Sequence, residues 1–239
     1  MSELDDLGRK HRTDKATHHG YMKSTYYPLF KNKKKEKIAI LEIGAGRFGG
    51  SVKVWKEFFE NGEVYLFDPF FIEGSDKVGP YSASLEDIEP LGIKCIKGNQ
   101  LIRQDLEQVE SMCPGGLDYI IDDGAHVNDA IQISLATLFK YLKPGGLYIV
   151  EDLHTARSRL FNRANRGLLD NENIKIENKT LHVDEEHLID SLSHFKENNK
   201  WLSKTLTDDE KEYLEQNIED FKVGPGRKIC VIIKRGNKQ

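Results

Sequence analysis

Residues 37–50 read KIAILEIGAGRFGG. The first half of this stretch is short, apolar and rich in β-branched side chains, which is typical of a buried strand. Residues 51–61 then place apolar side chains at helical spacing, so the glycines lie where a strand passes into a helix. Glycine at such a turn lets the backbone approach a ligand and leaves the helix N-terminus open to polar groups. The stretch therefore predicts a strand, a ligand-binding turn and a helix.

The same alternation of strand and helix continues along the chain. Further strands are predicted at 63–67, 93–96, 117–121 and 147–150, and helices at 101–112, 127–142, 185–195 and 208–217. Such an alternation implies right-handed βαβ units and a parallel sheet with both faces covered. Two apolar runs within 221–234 flank a glycine-rich turn and predict a terminal hairpin. The expected fold is α/β, with a mostly parallel seven-stranded sheet, a C-terminal antiparallel hairpin and helices on both faces.

Two stretches of the sequence lie outside this alternation of strands and helices. Residues 1–36 lack strand signals and are predicted to form an N-terminal helical cap, followed by one domain over 37–239. Residues 154–180 show no clear period and are predicted to form a mobile lid. Four arginines fall in this lid: Arg157, Arg159, Arg163 and Arg166. Guanidinium groups suit phosphate, although an exposed loop explains the same composition.

The overall composition excludes several classes of protein. Apolar residues make up 38% of the chain and charged residues 31%, which is enough apolar material for one core. A net charge of −4 argues against nucleic acid as a partner. No apolar run reaches the roughly 20 residues that span a bilayer, and the polar N-terminus does not resemble a secretory signal. Three unclustered cysteines indicate neither disulfides nor a cysteine zinc site, so a reducing cytoplasm is expected.

A carboxylate follows the second predicted strand. Asp68 lies 22 residues beyond Gly46, where it could accept both hydroxyls of a ribose. The turn at Gly44 and Gly46 therefore predicts a nucleoside-containing cofactor. Glu42 stands two residues before Gly44, and its charge would repel the pyrophosphate of NAD. A cationic cofactor without phosphate tolerates this acid, which could hold its amino group, so S-adenosylmethionine is preferred.

Asn99 and Gln100 follow the third predicted strand, where the adenine of such a cofactor would lie. Either side chain could hydrogen-bond the adenine edge. An ordinary polar turn explains the same residues equally well, so both alternatives stay open.

Acidic residues end the fourth and fifth predicted strands. Asp122 and Asp123 end one strand, and Glu151 and Asp152 end the other. Neighbouring parallel strands lie roughly 5 Å apart, so the two pairs are expected to face each other. Four gathered carboxylates repel one another unless a cation lies between them. Mg²⁺ prefers oxygen ligands, whereas the lack of an accompanying cysteine disfavours zinc.

His126 lies three residues beyond Asp123. A hydroxyl bound near a metal ion has a lowered pKa, and imidazole suits the removal of its proton near neutral pH. The expected reaction is methyl transfer from the cofactor to that hydroxyl, with His126 as the catalytic base. Asp122 is also assigned to the cofactor. A single aspartate before a predicted helix is commonly a helix cap, however, and this capping role is favoured for Asp122.

These motifs together resemble the metal-dependent sugar O-methyltransferases of macrolide biosynthesis, and the related cephalosporin hydroxylase group. The resemblance is weak over 156–221 and covers most of the remaining chain. It is carried by TDK (13–15) with His19 and Tyr21, and by LEIGAGRFGGS, LFDPF, GNQ, IDDGAH, KPGGLYIVEDLHT and KICVIIK.

The resemblance implies a Rossmann-like class I methyltransferase fold with S-adenosylmethionine on the glycine turn. It also implies Mg²⁺ ligation by Asp123, Glu151 and Asp152, with His126 as general base, and it places Thr13 and Tyr21 at the cofactor end. The chain has GNQ where relatives commonly have GDQ, which leaves the role of Asn99 open, and alanine at 125 where serine is usual.

We therefore predict a cytoplasmic O-methyltransferase that uses S-adenosylmethionine and Mg²⁺. Its expected partner is a small-molecule hydroxyl acceptor: a sugar, or a nucleotide-linked or phosphorylated metabolite, of specialised-metabolite or surface-glycan biosynthesis. The sequence is compatible with a homo-oligomer. One alternative is an oxidoreductase, either NAD-linked or a non-haem iron enzyme that uses His126 and His154. Another is a non-catalytic protein that only binds S-adenosylmethionine.

Overall fold

The computed structural model describes residues 2–46, 48–70, 83–156 and 187–237. The arginines of the predicted lid lie outside the described residues. The chain divides into two compact units, Met1–Lys97 and Gly98–Gln239. The boundary predicted at residue 36 stays a prediction.

The first unit begins with short helices. They are α1 (Glu3–Lys10), α2 (Asp14–Thr17), a π-helical turn (Met22–Tyr26) and α3 (Tyr27–Phe30). Helix α1 starts with a capping box, because Ser2 Oγ accepts the backbone N–H of Asp5 and the Asp5 carboxylate accepts the N–H of Ser2. The N-terminal residues are therefore helical, as predicted.

The remainder of the first unit alternates strands and helices. It contains β1 (Ala39–Ile43), α4 (Gly50–Phe58), β2 (Glu63–Asp68), α5 (Leu85–Ile88) and β3 (Lys94–Lys97). Strand β2 pairs in parallel with both β1 and β3. The buried rings of Tyr26 and Phe30 pack on Trp55 of α4, with ring centroids 4.9 and 5.8 Å away. This aromatic cluster joins the N-terminal helices to the rest of the unit.

The second unit contains four strands and five helices among its described residues. The strands are β4 (Leu117–Asp122), β5 (Leu142–Val150), β6 (Ile218–Val223) and β7 (Cys230–Lys234). The helices are α6 (Arg103–Met112), α7 (Asn128–Leu138), α8 (Leu153–Ala156), α9 (Leu188–Asn198) and α10 (Asp208–Asn217). Strands β4 and β5 are parallel, whereas β7 is antiparallel to both β5 and β6. The strand order is β3-β2-β1 within the first unit and β4-β5-β7-β6 within the second, and the predicted mixed seven-stranded sheet and terminal hairpin are confirmed.

The boundary between α7 and β5 differs from the prediction. The helix ends at Leu138 instead of extending to residue 142, and a 3₁₀ turn, Phe139–Tyr141, follows it. The Lys234 ammonium stabilises this end by donating to the carbonyl oxygens of Phe139 and Lys140 in the turn and of Leu142, the first residue of β5. Strand β5 therefore begins at Leu142, five residues before the predicted start.

Helix α7 is a core helix, because all eleven of its residues are buried. Its burial explains why its apolar residues show so little one-sided spacing in the sequence. At eleven residues it is also much shorter than the roughly 20 residues of a membrane span. In the described part of the chain, no helix has both the length and the apolar character needed to cross a membrane.

Candidate functional site

The glycine turn between β1 and α4 depends on left-handed backbone conformations. Gly44, Gly46 and Gly49 have φ angles of 94°, 54° and 60°, which glycine adopts without steric cost. A Cβ atom built on Gly46 would meet no heavy atom within 4 Å among the described residues. Among the described residues, the space beside the turn is therefore open to a ligand.

Asp68 fixes this turn from the end of β2. One carboxylate oxygen accepts the N–H of Ala45 at 2.8 Å, and the other accepts the N–H of Phe70 at 2.7 Å. The structure thus brings Asp68 together with the glycine turn, as the sequence predicted.

Glu42 lies at the end of β1 with its carboxylate fully buried. Ser51 Oγ donates to it at 2.7 Å and Trp55 Nε1 at 2.8 Å, both from α4. The ammonium of Lys15, which is also buried, lies 3.4 Å from the same carboxylate. These contacts favour a role for Glu42 as an anchor inside the protein, and its predicted contact with a cofactor amino group stays a prediction.

Sequence reasoning missed this buried ion pair. Ser51 and Trp55 are four residues apart on α4, so their shared helix face offered a signal that both could reach Glu42. Lys15 offered no comparable signal, because it lies 27 positions before Glu42 and lysine is usually exposed.

The N-terminal segment packs closely on the start of α4. Thr13 caps α2, and its backbone nitrogen lies 3.2 Å from the position that a Cβ atom on Gly50 would take. The carbonyl oxygen of His11 lies still closer, at 2.8 Å. Tyr21 is buried, and its ring stacks on His19 with the centroids 5.1 Å apart. The structure thus gives Thr13 and Tyr21 packing roles, and their predicted contact with the cofactor stays a prediction.

Three side chains of the second unit form a cluster with metal-ligand spacing. Asp123, His126 and Asp152 each offer one ligand atom, and these atoms all lie within 4.8 Å of one another. His126 Nε2 is 3.6 Å from a carboxylate oxygen of Asp123 and 3.9 Å from one of Asp152. All three side chains are partly exposed, so an ion and a substrate could reach them. The cluster confirms neither ligand nor base roles, but its oxygen-rich donor set fits Mg²⁺.

The backbone at this cluster is strained. His126 and Asp152 have φ angles of 53° and 51°, in the left-handed region that residues other than glycine rarely adopt. Residues held in this way concentrate at active sites, where the surrounding structure maintains them. The strain is a second, independent indication that these two residues have a function.

Glu151 is placed differently from the other predicted ligands. Its side chain is buried, and it is not part of the three-residue cluster. Its backbone N–H donates to the carbonyl oxygen of Asp122 at 3.0 Å, which joins the ends of β4 and β5. Ligation of a metal by Glu151 stays a prediction.

Asp122 is enclosed in a hydrogen-bonded network. Its carboxylate accepts from Gln100 Nε2 at 2.8 Å, from Tyr148 Oη at 3.1 Å and from the Ser134 hydroxyl. Burial raises the pKa of Asp122, and the three hydrogen bonds oppose this effect. The geometry therefore favours a role for Asp122 inside the protein over the predicted contact with the cofactor.

The neighbouring amides also have partners within the protein. Gln100 Oε1 accepts the backbone N–H of Ala125 at 2.9 Å, so both ends of this amide are engaged. Asn99 Oδ1 accepts the N–H of Leu101 at 2.9 Å, and the Asn99 backbone N–H donates to Asp105. Asn99 thus stabilises the turn before α6, and contact of either amide with an adenine stays a prediction.

Comparisons with known proteins agree with the motifs. The chain is 31% identical over 160 residues to mycinamicin VI 2''-O-methyltransferase of Micromonospora griseorubida and to demethylmacrocin O-methyltransferase of Streptomyces fradiae. The matched region is 64% of this chain and 37% of each relative, so the chain spans little more than a third of their length. No protein-family model matches the chain.

A solved structure gives the same result for the fold. The chain is similar to MycE methyltransferase from the mycinamycin biosynthetic pathway, in complex with Mg and SAH, with a TM-score of 0.70 and 24% identity. The similarity covers 100% of this chain and 56% of that one. The resemblance to macrolide sugar O-methyltransferases and the methyltransferase fold are both confirmed.

Proposed function

We propose that this chain is an O-methyltransferase that uses S-adenosylmethionine and Mg²⁺ to methylate a hydroxyl of a small molecule. The observation that carries the proposal is the cluster of Asp123, His126 and Asp152, whose ligand atoms lie within 4.8 Å of one another. A general base beside two carboxylates suits the removal of a proton from a hydroxyl held near a cation.

The cofactor residues proposed here are Gly44, Gly46 and Asp68. The positive φ angles of the two glycines shape the turn, and the open space beside Gly46 gives a ligand access to its backbone. Asp68 faces the turn through its bond to Ala45 and would accept ribose hydroxyls. When bound, S-adenosylmethionine supplies an electrophilic methyl group on a positively charged sulfur.

The metal residues proposed are Asp123 and Asp152, with Glu151 as the predicted third ligand. Bound Mg²⁺ supplies positive charge that lowers the pKa of the acceptor hydroxyl. Carboxylate oxygens are the ligands that this ion prefers, so His126 is assigned as the base and not as a ligand. The two aspartates would also position the acceptor beside His126.

His126 takes the proton in the proposed reaction. Its Nε2 would accept the hydrogen of the hydroxyl. S-adenosylmethionine, held by Gly44, Gly46 and Asp68, would supply the methyl group to the hydroxyl oxygen and retain the electron pair of its carbon–sulfur bond. The carboxylates of Asp123 and Asp152, 3.6 and 3.9 Å from Nε2, stabilise the imidazolium that forms.

The acceptor proposed is a sugar hydroxyl. The names of both relatives describe O-methylation, of mycinamicin VI at its 2'' position and of demethylmacrocin. For this chain, a glycoside or a nucleotide-linked or phosphorylated sugar in the cytoplasm is the corresponding proposal.

The alternatives receive less support from the described residues. A two-histidine, one-carboxylate iron site needs a second imidazole, and the described cluster contains only His126. The charge of Glu42 argues little against an NAD-linked enzyme, because buried Lys15 pairs with it; the similarity to proteins named as O-methyltransferases is what disfavours that alternative. The base and carboxylates together favour catalysis over simple cofactor binding.

Transfer of a labelled methyl group tests the proposal. Methyl-labelled S-adenosylmethionine would be incubated with the protein, Mg²⁺ and a panel of glycosides and nucleotide sugars, and label in the sugar would be measured. We expect transfer to cease after metal removal by EDTA and return with Mg²⁺, and to fall sharply in Asp123→Asn and His126→Gln. Transfer that persists in both variants and in EDTA would refute the proposed chemistry.

A further inference from the structure

We propose that Gln100 and Asp122 are positioning residues that hold the loop carrying Asp123 and His126. The inference rests on the proposed function, because this loop matters only if its two side chains handle a metal ion and a proton. It replaces the expectation that Gln100 and Asp122 contact the cofactor.

The Gln100 amide links the end of β4 to the loop that follows it. Its nitrogen donates to the Asp122 carboxylate at 2.8 Å, and its oxygen accepts the N–H of Ala125 at 2.9 Å. Ala125 directly precedes His126 in the chain. A single buried side chain therefore fixes the loop backbone immediately before the proposed base.

The chemistry of these groups determines how the amide is oriented. The backbone N–H of Ala125 only donates, so the amide oxygen of Gln100 must face it. The amide nitrogen then faces the Asp122 carboxylate, to which it donates. A flipped amide would lose both bonds, so Gln100 can hold the loop in one arrangement only.

Asp122 is itself held from the opposite side. Tyr148 Oη and the Ser134 hydroxyl both donate to its carboxylate, from β5 and α7 respectively. The Ser134 hydroxyl also accepts from Gln100 Nε2 at 3.0 Å. The support for the loop thus extends from the strand and helix of the core to the backbone at Ala125.

The loop needs such support because of its conformation. His126 has a φ of 53°, which is unfavourable for a side chain with a Cβ atom. Without the bond to Ala125 the loop would relax to commoner conformations and carry the Asp123 and His126 side chains apart. Outer residues that orient metal ligands typically change metal affinity 10- to 100-fold when they are replaced.

Two variants separate this role from contact with the cofactor. Gln100→Met keeps the approximate size of the side chain and removes both hydrogen bonds. Gln216→Met is the matched control, because it is the same substitution at an exposed position of α10, where the Gln216 amide donates to Glu212. For each protein we would measure amide hydrogen exchange at residues 123–126 without metal, calorimetric affinity for Mn²⁺, and affinity for S-adenosylhomocysteine.

We expect Gln100→Met to speed exchange at Ala125 at least tenfold and to weaken Mn²⁺ binding about 10- to 100-fold. Its affinity for S-adenosylhomocysteine should stay within twofold of the wild type, and Gln216→Met should leave all three quantities within about twofold. Unchanged exchange and Mn²⁺ affinity, with weakened S-adenosylhomocysteine binding, would overturn the inference and restore the cofactor contact.

A further variant covers the case in which Gln100→Met does not fold. Gln100→Asn keeps the amide but is one methylene too short to bond both partners, and we expect it to speed exchange at Ala125 in the same direction. Unchanged exchange would overturn the inference. A wild-type protein that binds no Mn²⁺ would contradict the proposed metal centre, and exchange at Ala125 would still decide the positioning role.

Discussion

Lys15 and Glu42 form a buried ion pair. Replacing this pair distinguishes two roles for Glu42, which either anchors the N-terminal segment or binds the cofactor. Both side chains are almost wholly excluded from solvent, and Nζ lies 3.4 Å from the carboxylate. Lys15→Met would leave the charge of Glu42 buried without its ammonium partner, beside the neutral donors Ser51 and Trp55. Removal of one partner of a buried ion pair typically lowers the free energy of unfolding by about 3–5 kcal/mol.

The paired variant Lys15→Met/Glu42→Gln should recover most of that loss. A glutamine oxygen can accept from Trp55, which only donates, while the glutamine nitrogen donates to Ser51, whose hydroxyl can accept. Replacement of both charges by neutral groups of similar size is often nearly neutral. We therefore expect a coupling free energy of about 3 kcal/mol or more between the two substitutions.

Thermal unfolding measures this coupling. For a chain of this length, roughly 2–4 °C of Tm corresponds to 1 kcal/mol, so Lys15→Met should lower the Tm by about 6–20 °C. The paired variant should unfold near the wild-type temperature. Additive losses in the paired variant, or a shift of only 1–2 °C for Lys15→Met, would refute the assignment of this pair as an anchor.

The same paired variant tests the cofactor role of Glu42. If the carboxylate only anchors the N-terminal segment, the affinity for S-adenosylhomocysteine should stay close to that of the wild type. A stable paired variant with affinity weakened tenfold or more would show instead that Glu42 binds the cofactor.

Three further predictions concern packing, pH and thiol chemistry. Gly50→Ala should destabilise the protein by about 1–3 kcal/mol in denaturant unfolding, since its Cβ would lie 2.8 Å from a backbone oxygen. Gly115→Ala is the control and should not destabilise the protein, because its Cβ would meet no described neighbour within 4 Å. Although burial alone would raise the pKa of Glu210, bonds from Arg103 and Thr207 outweigh it and lower the pKa below the ordinary 4.5. Arg103→Met should thus lower the free energy of unfolding by about 1.5–3 kcal/mol near pH 7. This difference from the wild type should vanish as the pH falls through the lowered pKa of Glu210. A difference that persists at pH 2 would contradict the assignment. Burial raises the pKa of Cys95 from 9.0 to about 11, so its thiolate fraction at pH 8 should be about 100-fold smaller than that of free cysteine. Because a more basic thiolate is also more nucleophilic, its reaction with a disulfide reagent should be about 10-fold slower, as absorbance of the released thiol would show.

The parts of the fold that depend on local signals were predictable from sequence. Helix Asp208–Asn217 has the predicted bounds because Thr207 and Glu210 form a capping box at its start. The start of β5 was not predictable, because the end of the preceding helix depends on Lys234, a residue more than 90 positions away.

The candidate site shows the same contrast. Asp123 and Asp152 follow parallel strands, so their approach could be derived from the order of strands and acids. The partners of Glu42 and Gln100 could not, because Lys15 and Ala125 reach them through tertiary packing. A pattern of residue types shows which groups gather at an edge of the sheet, whereas burial decides which of them are left for a ligand.

The central claim is that the glycine turn binds S-adenosylmethionine and not a dinucleotide. Calorimetric titration of the wild-type protein with S-adenosylmethionine, and separately with NAD, tests it most directly. We expect S-adenosylmethionine to bind with a micromolar Kd and NAD to give no measurable heat of binding. Micromolar binding of NAD with no binding of S-adenosylmethionine would contradict the account.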